Sequence, residues 1–163
     1  MTAVTARTYP QEPSVLKWGV YLMSLAGLAF IGYGAVFFVL NFTGHFLELG
    51  IGSGQVASGK DEITAFDNDL YHYISHLHIA LSGFIASTGL AVVALSWFGV
   101  RRRQMWAWGA AVAAPVLALA VALPAHYPWG FDTLGHLGLV YLATVVFVVG
   151  AFLSLKALLE TRS

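Results

Sequence analysis

The chain has no cysteine, little charge, and no ionisable acid or base in the middle of any long apolar run. Without cysteine there are no disulfides, thiolate metal ligands, thiol redox chemistry or c-type haem attachment. Only 10% of its 163 residues are charged, against about 25% in a soluble domain. Its formal net charge is zero, so no global field draws nucleic acid. Proton-coupled transport normally needs ionisable groups near the bilayer midplane. Their absence, with no evident inverted repeat, speaks against ion or proton translocation.

Apolar length is what the chain does have. Runs at about Val15–Leu40, Ile79–Val100 and Val140–Leu159 each reach the length of a membrane span, which is roughly 20 residues. A fourth, Met105–Leu123, is rich in alanine and interrupted by Pro115. The expected fold is an all-α integral membrane protein, an antiparallel four-helix bundle. Residues 1–14, with Pro10 and Pro13, read as a disordered lead-in rather than a cleavable signal. Residues 15–160 then form one membrane domain, with helices at about 15–41, 69–100, 104–124 and 133–159.

Basic residues set orientation. Arg7 and Lys17 flank the first span, Arg101, Arg102 and Arg103 join the second to the third, and Lys156 and Arg162 end the fourth. The expectation is N-in and C-in, in a plasma membrane, with the loop of about 42–68 and the turn Pro124–Gly135 outside. The loop is long for packed helices. It reads as a floppy connector or a lid, with a short amphipathic piece near Phe42–Leu49.

All six histidines fall at that outer end: His45, His72, His76, His78, His126 and His136. His72 and His76 share one face of the second span. His78 lies about 200° around the helix from His76 and is expected to point elsewhere. Asn68 or Asp69 is the expected cap of that helix.

Three readings compete for the histidines. In the first, His76 and His136 are axial ligands of haem b, and Gly83, on the face of His76, gives the macrocycle room. The protein would then be a small b-type haem protein or electron-transfer subunit, with a quinone or a larger membrane complex as partner. The run from His76 to Phe84, with His76, His78 and Gly83, resembles the ligand helices of membrane b-type cytochromes over some ten residues. That resemblance implies haem ligation by this segment.

In the second reading, His72, His76, His126 and His136 hold a transition metal ion, with Glu48 or Asp69 completing the shell. In the third, the histidines are interfacial residues of a cofactor-free accessory subunit, packed against lipid or forming a homo-oligomer. A pH-sensing variant would use the imidazoles beside Asp67, Asp69 and Glu48. The alanines from Ala107 to Ala122 read as a close-packing helix, or else as room for a bulky ligand.

Overall fold

The computed structural model describes residues 14–43 and 49–160. His45, Glu48, Arg7, Arg162, all but the last residue of the expected lead-in and most of the expected amphipathic piece lie outside them. The described residues are helical, without a strand, and four helices are long and apolar enough to cross a membrane. Such spans fold as helices because lipid offers no partner for a backbone N–H or C=O.

Helix α1 is Ser14–Leu40, and a short helix α2, Lys60–Phe66, lies in the long loop. Helix α3, Asn68–Ala94, runs on through a π-helical turn at Leu95–Gly99 and a 3₁₀ turn at Val100–Arg102. Helix α4 is Met105–Ala122, followed by 3₁₀ turns at Leu123–Ala125 and Tyr127–Trp129, and α5 is Leu134–Glu160. The loop is therefore more than a connector. Glu62 Oε2 accepts from the Gly59 N–H at 3.0 Å and fixes the start of α2.

The cap of α3 is Asp67, not Asn68 or Asp69. Its Oδ1 accepts from the N–H groups of Asp69 and Leu70 at 2.9 and 3.1 Å. Asp67→Ala should lower stability by about 1 kcal/mol, whereas Asp69→Ala should not. Chemical unfolding in micelles checks this, and equal midpoints for the two variants would count against it.

Glycine places α1 at the centre. Lipid tails are as apolar as the side chains, so spans associate by close van der Waals fit. One face of α1 meets α3: Gly27 faces Gly89, and Gly34 lies on Ser82 and Ala86. Another meets α5, where Gly19 lies on Gly150 and Ser154. Rising numbers on α1 meet falling numbers on both neighbours, so both pairs are antiparallel. A Cβ on Gly27 would stand 2.8 Å from the Gly89 carbonyl oxygen, and one on Gly150 2.8 Å from the Met23 nitrogen.

Helix α4 packs less closely. Its first half is anchored: Ala107 and Ala111 are buried, and Trp108 Nε1 donates to the Ala151 carbonyl at 3.0 Å. Among the described residues, the two buried apolar clusters run from the arginine turn to about mid-bundle. Leu16, Val20, Val100 and Ala107 belong to one, Met23, Val92, Ala111 and Phe147 to the other. Outside that turn, Arg101 lies over Trp97 at 4.9 Å, Trp97 stacks on Tyr21 at 5.8 Å, and Lys17 lies over Tyr21 at 5.6 Å. This ladder joins α1 to α3 with amphipathic rings of the kind that favour a membrane interface. The half of the bundle away from it holds the cavities.

Candidate functional site

Three backbone segments converge at the end opposite the arginines. Helix α4 stops in a 3₁₀ turn, where the His126 N–H bonds the Leu123 carbonyl at 3.1 Å instead of that of Ala122. At a helix C-terminus such carbonyls lack their usual i+4 backbone partner. His126 supplies one from its side chain: Nδ1 donates to the Ala122 oxygen at 2.9 Å.

On the facing helix, His136 Nδ1 donates to the Leu49 carbonyl at 2.8 Å. That carbonyl is delivered by Gly50, whose φ of +78° is the left-handed conformation glycine adopts without strain. The Gly50 backbone lies so close on Gly135 and the His136 nitrogen that no side chain fits between them. His136 is 2% exposed, and its ring centroid stands 5.1 Å from that of His126, the planes inclined by 31°.

Helix α3 contributes His78. Its ring packs on Phe37 with centroids 5.1 Å apart. Close by, Asn41 Nδ2 donates to Ser75 Oγ at 2.9 Å and ties the C-terminal end of α1 to α3. His78, His126 and His136 line a cavity of about 360 Å³ with Trp129, Phe131 and the loop residues Ile51 and Val56. A second cavity, about 500 Å³, lies between α1, α3, α4 and α5 and is lined by Phe37, Phe84, Leu117 and Leu137 among others. His126 lines both. A third, about 430 Å³, is an apolar groove between α1 and α5.

The alanines of α4 divide between the two roles considered for them. Ala107 and Ala111 pack, while Ala114, Ala118 and Ala122, further along the same stripe, line the large cavity. Their small side chains leave the volume that their neighbours do not fill.

The predicted residues separate accordingly. His136 and His126 come together. His72 and His76 are exposed on the outside of α3 and line none of these three cavities. Gly83 is exposed too, with nothing within 4 Å of the place a Cβ would take. The expected axial pair, His76 and His136, therefore does not face a common space. The expected metal set of His72, His76, His126 and His136 is not gathered either: among the described residues, no group of three or more His, Asp or Glu is placed to hold a metal ion.

The reason is the rotation of α3. Its buried residues are Ser82, Gly89 and Val92. They share a face with His78, not with His76. Reading the small residues Ser82, Ala86 and Gly89 as the packing seam, in preference to Gly83, would have chosen His78. Comparison with protein-family models, curated proteins and solved structures finds no match. Chemistry alone carries the assignment of function.

Proposed function

We propose that this multi-pass membrane protein binds a lipid-soluble molecule with a compact polar head. The apolar body occupies the space between α1, α3, α4 and α5, and the head sits against the imidazoles. One observation carries the reading: His126 lines both the apolar cavity of about 500 Å³ and the histidine cavity of about 360 Å³. Cavities of roughly 300–1,000 Å³, mostly apolar with a few convergent polar groups, are the usual form of small-molecule sites. A quinone belongs to this ligand class.

The same reading places both chain ends on the cytoplasmic side and the histidine cavity near the outer surface. Arg101, Arg102 and Arg103 lie at the opposite end of the bundle from His126 and His136, which favours that orientation under the positive-inside rule.

Purified protein should carry a lipophile that survives detergent exchange and is found by mass spectrometry of an organic extract. Ala114→Trp fills the cavity from α4 and should reduce the extracted amount by about tenfold or more, as expected when a bulky ring replaces the ligand's own volume. Size exclusion and circular dichroism verify that the variant is folded. An unchanged amount of extracted ligand in a folded variant would sink the proposal.

Haem is a second reading of the same cavity, favoured by an imidazole at the rim of a space large enough for a macrocycle. His126 would then be its axial ligand. A ring separation of 5.1 Å leaves no room for an iron with metal–nitrogen bonds of about 2 Å on either side, so His136 would not be the second. A Soret band lost in His126→Ala and kept in His76→Ala is the expected signature. The reverse pattern would restore the pair predicted from sequence.

A further inference from the structure

We infer that the ligand's head is a hydroxyl group, and that it donates its hydrogen bond to His126 Nε2. The inference rests on the binding reading above and names the chemistry of its head. It follows from what His126 Nδ1 already does. The Ala122 carbonyl can only accept, so the Nδ1 bonded to it at 2.9 Å carries the proton. In a neutral imidazole the other nitrogen is then a bare acceptor. With Nδ1 tied to the helix end, Nε2 is the ring nitrogen left for the cavities that His126 lines.

The lining carries no described charge to recognise an ionised head. Neither cavity is lined by a described Asp or Glu, so an ammonium head would find no counter-charge there. No described Lys or Arg lines them, so a carboxylate or phosphate would find none either. Thr88, on the wall of the large cavity, already donates its own hydroxyl to the Phe84 carbonyl at 2.8 Å. At Nε2 an ether, a ketone or the oxidised form of a quinone would meet lone pair with lone pair, so a quinone fits this nitrogen in its reduced, hydroxyl-bearing form. An alcohol, phenol or hydroquinone brings the missing hydrogen.

The helix end makes this a fixed preference. Turning the His126 ring to present an N–H would break the bond at Nδ1 and leave the Ala122 carbonyl without that partner. Giving up that hydrogen bond costs about 0.5–1.5 kcal/mol, which favours this tautomer.

The test uses the full-length protein in nanodiscs and three matched pairs, each a free hydroxyl and its methyl ether: a long isoprenoid alcohol, a polycyclic sterol-like alcohol and an alkylphenol. Quenching of Trp129, which lines the histidine cavity, reads the affinity, with Trp129→Phe as the blank. For whichever skeleton binds, the hydroxyl form should bind about tenfold more tightly than its ether. His126→Phe should erase that difference while the ether's affinity changes little. Equal affinities of hydroxyl and ether in the wild-type protein overturn the inference and leave the binding reading intact. Failure of all three skeletons overturns both. The comparison within the wild-type protein decides the matter even if His126→Phe does not fold.

Discussion

Gly89→Leu should prevent the protein from folding, while Gly83→Leu on the same helix should be tolerated. At Gly89 the added Cβ would stand 2.9 Å from the backbone nitrogen of Ile31 and press on the carbonyl of Gly27. Both are backbone atoms in the middle of α1, so no side-chain rotation relieves the clash. The two helices must separate, and the seam that opens is the one on which Gly27, Gly34, Ser82 and Ala86 also depend. Overpacking a well-fitted core costs about 1–3 kcal/mol, occasionally more. A backbone-to-backbone seam lies at the upper end, so about 3 kcal/mol or more is expected. At Gly83 the same position is open space. Unfolding by sodium dodecyl sulfate titrated into mild micelles gives both midpoints. A Gly89→Leu midpoint equal to that of Gly83→Leu would mean that α1 and α3 do not meet at this seam.

Gly50→Val should release the long loop from α5 and open the histidine cavity. Two penalties combine. A side chain in the left-handed conformation costs roughly 1–2 kcal/mol, and here its Cβ would also overlap the backbone of Gly135 and His136. Once the loop moves away, His136 loses the Leu49 carbonyl, its partner at 2.8 Å. An imidazole that is 2% exposed then gives up that hydrogen bond, a loss of about 1 kcal/mol. Together these should cost about 2–3 kcal/mol, borne locally by the loop and the first turns of α5. Amide exchange over residues 134–140 should accelerate, and bound lipophile should be lost. Gly52→Val and Gly54→Val, at open positions in the same loop, are the controls. Protection at the start of α5 matching those controls would show that Gly50 does not hold the loop there.

Much of the architecture was legible because a bilayer leaves the backbone few options. Four apolar runs of sufficient length must become helices when no water is present to pair their N–H and C=O groups. Pro115 did not divide the third run, which stays helical from Met105 to Ala122. The short α2 was harder to see. Its seven residues carry too few apolar side chains to announce a helix, and its start depends on Glu62 reaching back to Gly59.

The site was legible only in part. His126 and His136 were among the expected residues, and being at the facing ends of consecutive spans is enough to bring them near one another. The choice between His76 and His78 was not open to inspection of α3 alone. Both lie at the same depth, and the helix must turn one inward and the other out. The i, i+4 pair His72 and His76 looks like the stronger ligand signal, yet it lies on the exposed side.

The sequence by itself determined that the described residues hold four apolar helical spans, that the histidines among them gather at one end and that the arginine turn lies at the other. Length, hydropathy and the order of residues along each span decide those properties, and they need no knowledge of neighbours. Tertiary structure decided which histidines line the cavity, which alanines pack and which leave space, and which nitrogen of His126 is bonded to the end of α4. The rotation of each helix is set by where glycines on α1 let its neighbours approach. The tautomer of His126 is set by the Ala122 carbonyl at the end of α4.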